Sequence, residues 1–312
     1  MVRGRFAPSP SGRMHLGNLF CALLSYLSVK SRGGEWILRI EDLDTARCRP
    51  DYARQVEEDL RWLGLAWDEG GSAGGPDAPY FQSQRTALYE AALERLRGMG
   101  RVYPCFCTRA QLHAASAPHR EDGLTVYPGT CRGLTPEDIA RREAAGRKGA
   151  LRLRVPEETV TFTDGHLGEV TEYLPTDCGD FLLRRSDGLF AYQLAVVVDD
   201  ADMGVTQVVR GSDLLSSAPR QLWLQQQLGL PHPEYGHVPL LLAPDGRRLA
   251  KRDRDQELGQ LQRQYTAQEL VGLLAHAAGL IPEPVPVSPR DLLPLFTWEK
   301  GPRKDLVLRM EQ

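Results

Sequence analysis

The first 65 residues alternate between short apolar runs and amphipathic segments. Residues 3–7 are a short, semi-apolar segment that predicts a strand, and it leads into a loop rich in proline and glycine. From Leu16 to Leu27, apolar residues recur at steps of three and four positions, a spacing that predicts a helix with one buried face. A strand is predicted at 36–40 and a second helix at 52–63. This order predicts a βαβ unit with a parallel sheet.

The middle of the chain is rich in turns, and apolar segments typical of a buried sheet return after it. Residues 101–188 are turn-rich, with short strands predicted at 150–155, 159–162 and 180–185. Residues 189–198 are apolar and β-prone, which predicts a buried strand, and 205–209 and 219–228 predict a strand and a helix. We therefore expect four parts: the first half of an α/β domain at 1–100, an insertion at 101–188, the second half of that domain at 189–236, and a basic loop with a helical tail at 237–312.

Composition narrows the class of protein. The 312 residues include 38 Lys+Arg against 41 Asp+Glu and are 42% hydrophobic, which excludes a disordered chain and a wholly basic nucleic-acid wrapper. No apolar stretch approaches the ~18 residues of a membrane helix, and no signal-peptide pattern opens the chain. We expect a cytoplasmic protein with no membrane contact. Charge is uneven, however: residues 101–154 hold ten basic and five acidic residues, a balance that suits an RNA backbone.

The loop between the first strand and the first helix carries the clearest chemistry. In a doubly wound sheet this position lies at the carboxyl end of the strand, where ligands bind. The N-terminus of a helix favours phosphate through its free N–H groups and its dipole. His15 can donate a hydrogen bond to a phosphate, and Gly17 allows the backbone to approach a nucleotide closely. The pattern predicts a nucleotide site at 15–18.

Several motifs together resemble one enzyme family. Arg-Phe-Ala-Pro-Ser-Pro-Ser-Gly at 5–12, followed by His-Leu-Gly-Asn at 15–18, resembles the signature of the glutamyl branch of class I aminoacyl-tRNA synthetases. The acidic turn at 41–44 and the segments 188–200 and 209–214 are similar to later motifs of that branch. The resemblance implies an α/β fold: a Rossmann-like catalytic domain with a parallel sheet, an inserted zinc-bearing α/β subdomain and a short helical C-terminal region.

The resemblance also implies the substrates and the residues that bind them. L-Glutamate would be held by Arg5, Ala7, Ser9, Glu41, Tyr192 and Arg210. Two arginines and one glutamate complement the two negative groups and one positive group of this amino acid. ATP, with Mg²⁺ on its phosphates, would lie at His15, Gly17, Asn18 and Lys251. His15 and Lys251 would act in catalysis.

Two positions depart from the family pattern. Lys251 lies in Arg-Arg-Leu-Ala-Lys-Arg-Asp at 247–253, in the place of the family's Lys-Met-Ser-Lys-Ser loop. Ala250 stands where the family usually has serine, and Asn18 where it usually has histidine. A mobile cation such as Lys251 would stabilise charge on the pyrophosphate as the carboxylate attacks.

Three of the six cysteines lie close together in the sequence. Cys105, Cys107 and Cys131 suggest structural zinc, which binds four Cys or His ligands tetrahedrally. Ordinary ligand chemistry favours His113 or His119 as the fourth ligand. The resemblance of Tyr-Pro-Cys-Phe-Cys-Thr-Arg at 103–109 and Tyr-Pro-Gly-Thr-Cys-Arg at 127–132 to a zinc-bearing subfamily instead implies Tyr127.

The residues after the basic loop bear on the RNA substrate. Residues 264–312 hold five basic and six acidic residues, too few positive charges for a dedicated anticodon-binding domain. The short, zinc-bearing paralogues that the chain resembles activate glutamate without tRNA and transfer it to the queuosine base at the wobble position of tRNA(Asp). No obligate protein partner is expected. The alternatives are a truncated synthetase that charges tRNA(Glu), a nucleotidyltransferase with a small acceptor, and a catalytically dead zinc-containing RNA-binding paralogue.

Overall fold

The computed structural model describes residues 1–108, 110–112, 126–243, 246–247 and 257–308. The strands within these ranges are β1 (Arg3–Phe6), β2 (Glu35–Leu38), β3 (Glu69–Gly70), β4 (Val102–Cys105), β5 (Ala150–Leu153), β6 (Thr159–Asp164), β7 (Gly168–Tyr173), β8 (Phe181–Arg184), β9 (Gln207–Gly211), β10 (Glu234–Val238), β11 (Leu241–Leu242) and β12 (Leu306–Val307). The α-helices are α1 (Leu16–Lys30), α2 (Pro50–Trp62), α3 (Thr86–Gly98), α4 (Pro136–Ala144), α5 (Tyr192–Asp202), α6 (Ala218–Gln227), α7 (Leu258–Leu261), α8 (Ala267–Ala277) and α9 (Pro289–Leu292).

A parallel sheet confirms the predicted α/β fold. Its strand order is β10-β9-β1-β2-β3, and each neighbouring pair is parallel. The chain moves from β1 to β2 in one direction and later adds β9 on the other side of β1. This reversal between β1 and β9 is a topological switch point, where ligands of open α/β sheets bind.

Helix α1 packs directly on the strands that flank the switch point. Its buried face includes Leu16, Leu19, Leu23 and Leu27, as the periodicity predicts. A Cβ on Gly4 would lie 2.2 Å from Val29 Cγ2, so the missing side chain lets the helix lie close to β1. The N-terminus of α1 is thereby fixed beside the carboxyl end of β1.

The prediction of a buried strand at 189–198 is wrong, because helix α5 begins within this apolar run, at Tyr192. Leu194, Ala195, Val196, Val197 and Val198 are all buried, because α5 packs against α3, α6 and β8. Burial on every side removes the polar face that would have revealed a period of 3.6 residues. A short apolar run of this kind fits either element.

The insertion consists of two small antiparallel sheets, β4-β5-β8 and the hairpin β6-β7. The turn of this hairpin is bonded to the edge of the catalytic sheet, since the amide of Gly165 donates to the Tyr235 carbonyl at 2.7 Å. At the C-terminal end, Leu261, Leu270 and Leu274 join the core around α1. Among the described helices, none is long and apolar enough to cross a membrane.

Candidate active site

A cavity of about 690 Å³ opens at the switch point between β1 and β9. Its walls come from the loop after β1, the first turns of α1, the acidic turn after β2, the start of α5 and the ends of β9 and β10. Sequence analysis predicted nine residues that line it: Arg5, Ala7, Ser9, His15, Gly17, Asn18, Glu41, Tyr192 and Arg210. Lys251 lies outside the described residues. The structure thus brings the predicted amino-acid and nucleotide residues to a single cavity.

One end of the cavity is formed by the N-terminus of α1. His15 is the N-cap residue, and its backbone N–H donates to Asn18 Oδ1 at 3.1 Å. Asn18 therefore has a capping role that the sequence analysis missed, although an N-cap followed three residues later by an amide side chain is the signal of a capping box. A Cβ on Gly17 would lie 3.2 Å from His15 Cε1, so glycine leaves room for the imidazole.

The segments that flank the basic loop also border this end. Leu241 lines the cavity, and the Ala243 amide donates to the Arg247 carbonyl at 2.8 Å. On the other side, Glu257 forms a β-bridge with His15, and the Leu258 amide donates to the Met14 carbonyl at 3.0 Å. The chain after the loop is thus anchored beside the N-terminus of α1, and the chain before the loop contributes Leu241 to the cavity wall.

Two buried arginines also line the cavity. Arg5 donates through Nε to Asp200 Oδ1 at 3.2 Å. Arg210 donates to Gln221 Oε1 at 2.7 Å, to Tyr192 Oη at 3.3 Å and to a histidine at the end of β10. A guanidinium group is a positively charged donor, so both arginines attract carboxylates into the cavity.

Glu41 adds a negative group to the same cavity. Its carboxylate lies 3.4 Å from Arg39 Nη2. Burial raises the pKa of Glu41, and the nearby Arg39 and Arg5 only partly oppose this effect. Arg5, Arg210 and Glu41 together can hold a ligand that has two negative groups and one positive group, and Arg13 and Asp213 add one further charge of each sign to the cavity wall.

A buried ionic network supports the site, and the sequence analysis did not predict it. Arg39 is fully buried and donates to Asp200 Oδ1 at 2.6 Å. Arg85 Nε donates to Asp199 Oδ1 at 2.6 Å, and Tyr89 Oη donates to the same carboxylate. The available signal was the Asp-Asp doublet that ends an apolar run. It was uninformative while that run was interpreted as a strand.

The predicted metal ligands also come together, in the insertion. The Sγ atoms of Cys105, Cys107 and Cys131 all lie within 4.8 Å of one another, and Cys107 and Cys131 are 3.6 Å apart. Two thiolates on a tetrahedral zinc are about 3.8 Å apart for Zn–S bonds of about 2.3 Å. Tyr127 Oη lies 3.4 Å from Cys105 Sγ and 3.7 Å from Cys107 Sγ. Three thiols and a phenol therefore fit a tetrahedral metal site.

The surroundings favour ionisation of one member of the cluster, Cys105, whereas burial raises the pKa of Cys107 to about 11 and also raises that of Tyr127. The guanidinium carbon of Arg152 lies 3.9 Å from the centre of the Tyr127 ring. Burial opposes ionisation of Cys105, but hydrogen bonds with Tyr127 and the Cys107 backbone, together with Arg152, lower the pKa of this thiol. His113 and His119, the alternative fourth ligands, lie outside the described residues.

Comparisons with known proteins agree with this architecture. A family model for the catalytic domain of class I tRNA synthetases (E and Q) matches residues 1–274. A Glutamyl-Q tRNA(Asp) synthetase from Symbiobacterium thermophilum is 53% identical, over 100% of this chain and 97% of that protein. Glutamate–tRNA ligase 2 from Alkalilimnicola ehrlichii is 49% identical, over 83% of this chain and 55% of that protein.

A solved structure extends the similarity to three dimensions. A glutamate tRNA ligase from Elizabethkingia meningosepticum, in complex with its amino acid, superposes with a TM-score of 0.83 at 28% identity. The match covers 99% of this chain and 67% of that one. The switch-point cavity, the family model and the relatives lead to one conclusion. The chain belongs to the glutamyl and glutaminyl family of class I tRNA synthetases, which are ligases.

Proposed function

We propose that the protein activates L-glutamate with ATP, without tRNA, and transfers the glutamyl group to the queuosine base at the wobble position of tRNA(Asp). The observation that carries this proposal is the cavity at the switch point. It combines Arg5, Arg210 and Glu41 with the N-terminus of α1. An amino acid with two carboxylates and a nucleotide phosphate can therefore lie within one cavity.

In this proposal the two arginines hold the carboxylates of glutamate. Asp200 is the one side chain, within the described ranges, that accepts a hydrogen bond from Arg5. The Nη groups of Arg5 are thus left for a bidentate pair with a carboxylate. Arg210 supplies the second cation, and Tyr192 lies beside it. Glu41 accepts from the α-ammonium group, and Ala7 and Ser9 form the wall contributed by the loop after β1.

ATP lies with its phosphates at the N-terminus of α1. His15 donates to the phosphates as charge builds during attack by the glutamate carboxylate, and Gly17 and Asn18 keep the nucleotide close to the backbone. Lys251 belongs to the segment whose two ends border this part of the cavity, and it supplies the mobile cation for pyrophosphate. Mg²⁺, when bound, screens the phosphate charge.

The relatives support transfer to tRNA(Asp) over the alternatives. Proteins that bear the name Glutamyl-Q tRNA(Asp) synthetase match at 53% and 51% identity over 97% and 95% of their lengths. The glutamate–tRNA ligases from Alkalilimnicola ehrlichii and Halorhodospira halophila match over 55% and 58% of theirs. The basic composition of residues 101–154 supports contact of the insertion with the RNA backbone.

We also infer that the cysteine cluster holds structural zinc, with Tyr127 as its fourth ligand. The spacing of the three thiols and the position of the phenol support this assignment. The ion, when bound, closes the segment from Cys105 to Cys131 and takes no part in activation. The division into catalytic halves at 1–100 and 189–236, an insertion at 101–188 and a tail at 237–312 remains part of the proposal.

The acceptor test uses labelled glutamate, ATP and four RNAs: tRNA(Asp) with queuosine, tRNA(Asp) with guanosine in its place, tRNA(Glu), and queuosine-containing tRNA(Asp) without its 3′-terminal adenosine. We expect label on the first and the last only, because the acceptor is the modified base and not the 3′ end. Equal labelling of both full-length forms of tRNA(Asp), or labelling of tRNA(Glu) alone, would contradict the proposal.

Activation is measured separately by ATP–pyrophosphate exchange. Wild-type protein should exchange with glutamate in the absence of tRNA, and the Lys251→Ala variant should lose this exchange. A wild-type protein that binds RNA but exchanges no pyrophosphate would instead support the catalytically dead paralogue.

A further inference from the structure

A buried histidine is one of four groups within the described residues that accept hydrogen bonds from Arg210, beside Gln221, Tyr192 and the Leu214 carbonyl. Arg210 Nε donates to His237 Nε2 at 3.0 Å, and the exposure of these two residues is 4% and 0%. A guanidinium N–H can only donate. The Nε2 atom of His237 must therefore present a lone pair, and the proton of a neutral imidazole must lie on Nδ1.

The partner of Nδ1 fixes that arrangement. His237 Nδ1 lies 2.6 Å from Asp164 Oδ2, and the backbone N–H of His237 also donates to this carboxylate at 3.1 Å. An ionised carboxylate only accepts, so it holds the proton on Nδ1. Burial lowers the pKa of His237, which keeps the ring neutral. Burial opposes ionisation of Asp164, but hydrogen bonds from His237 and the Leu167 amide lower its pKa.

We propose that Asp164 and His237 are positioning residues that fix the guanidinium of Arg210 for the substrate carboxylate. This inference rests on the proposed function of the cavity. It assigns a task to the insertion, because Asp164 is the last residue of β6. The carboxylate is itself held by the hairpin turn, whose amides at His166 and Leu167 donate to Oδ1 at 3.0 and 2.9 Å.

The neutral imidazole between the two charges has a physical advantage. A carboxylate in direct contact with Arg210 would compete with a carboxylate of the substrate for the same N–H groups. Arg5 shows the contrast, since Asp200 accepts directly from its Nε. With His237 interposed, Arg210 is oriented by a neutral acceptor and keeps its positive charge for the ligand. The centre of the Tyr235 ring lies 5.0 Å from the Arg210 guanidinium carbon, a cation–π contact.

Three variants separate positioning from packing. In Asp164→Asn, an amide –NH₂ that faces Nδ1 moves the imidazole proton to Nε2, where it opposes the Arg210 N–H. His237→Leu removes the acceptor, whereas His237→Gln offers Oε1 in its place. His232→Leu, a change at an exposed histidine outside the cavity, is the matched control.

The measurement is ATP–pyrophosphate exchange with the KM for glutamate and the KM for ATP determined separately. We expect Asp164→Asn and His237→Leu to raise the KM for glutamate by about 10- to 100-fold, the range for a lost hydrogen bond to a charged group, with the KM for ATP within about twofold. His237→Gln should recover most of the glutamate affinity, and the control should behave as wild type.

Glutamate affinity in His237→Leu equal to that of wild type would overturn the proposal, as would equal impairment of His237→Gln and His237→Leu with loss of kcat alone. If Asp164→Asn does not fold, His237→Leu and His237→Gln still test the proposal. Calorimetric titration with L-glutamate alone measures the same contact. An absence of exchange in wild type would thus count against the proposed function, while the titration still tests the positioning residues.

Discussion

Glu41 shows how a single residue can be costly for the fold and useful for the site. Its carboxylate is buried among arginines, and burial raises its pKa. Because the folded state favours the neutral form, the charged form at neutral pH reduces the free energy of unfolding. The same charge is what attracts the α-ammonium group of an amino acid in the proposed function. The charge of Glu41 therefore favours substrate binding but reduces the stability of the fold.

The substitution Glu41→Gln should separate the two effects. We expect the KM for glutamate to rise by about 10- to 100-fold, because a hydrogen bond to a charged group is lost. The free energy of unfolding at pH 7 should rise. This gain should disappear as the pH falls through the raised pKa of Glu41, where the wild-type carboxyl also becomes neutral. Exchange kinetics and urea unfolding at both pH values measure these changes.

The matched control is Glu58→Gln, the same change on the exposed face of α2. This variant should leave the KM for glutamate and the pH dependence of stability unchanged. A KM for glutamate in Glu41→Gln equal to that of wild type would show that Glu41 does not contact the substrate.

Among the secondary-structure elements, the spacing of apolar residues predicts the correct type where an element has one buried face and one exposed face. The spacing of leucines predicts α1, and the alternation of exposed and half-buried residues in β6 is that of a surface strand. The same reasoning failed for α5, which is surrounded by α3, α6 and β8. The sequence of an element that is buried on all sides has no periodic alternation of apolar and polar residues, so it does not reveal whether the element is a helix or a strand.

The cysteine cluster is an element held together by side-chain chemistry, and it leads to a metal prediction. We expect about one zinc ion per wild-type chain and loss of the ion in Cys131→Ser. Chelation should lower the Tm and loosen the insertion first, because structural zinc contributes directly to folding. Metal analysis and hydrogen exchange of residues in β4 and β5 measure these effects, and Cys178→Ser, a buried cysteine outside the cluster, is the control.

The fourth ligand is decided by comparing three variants. Tyr127→Phe should weaken zinc binding, whereas His113→Ala and His119→Ala should not. The opposite result would assign the fourth position to a histidine and leave Tyr127 as a packing residue with its ring against Arg152.

Across the whole molecule, buried ion pairs join the two halves of the catalytic sheet. Asp200 on α5 accepts from Arg5 on β1 and from Arg39, which follows β2. Asp199 links the same helix to Arg85 at the start of α3. These contacts connect segments that are more than one hundred residues apart in the sequence, on either side of the insertion. They therefore hold the walls of the cavity in place relative to one another.

Breaking this network should destabilise the fold strongly. We expect Asp200→Asn to lower the free energy of unfolding by about 3–5 kcal/mol, because it leaves buried guanidinium groups without a counter-charge. Asp51→Asn, which affects an exposed pair with Arg54, should cost about 0–1 kcal/mol. Urea unfolding measures both variants, and equal effects would exclude a structural role for the network.

The pH dependence of this stability follows from the pKa of Asp200. Burial opposes ionisation, but Arg39 and Arg5 outweigh it and lower the pKa. The contribution is therefore fully present above the unfolded pKa of about 3.9 and is lost as the pH falls through the lower folded value. The difference between wild type and Asp200→Asn should shrink in that acid range.

The sequence by itself determined the βαβ order, the loop before α1 and the residue types that face the cavity. Those features are local, since glycine, proline and amphipathic spacing act within a few residues of where they stand. The tertiary structure decided what distant residues do to one another. Asp164 reaches Arg210 through His237, across 73 residues between Asp164 and His237, and Asp200 accepts a hydrogen bond from Arg5 across 195. No local pattern records such pairs, because the fold brings them together only when the insertion and the second half of the sheet pack against the first.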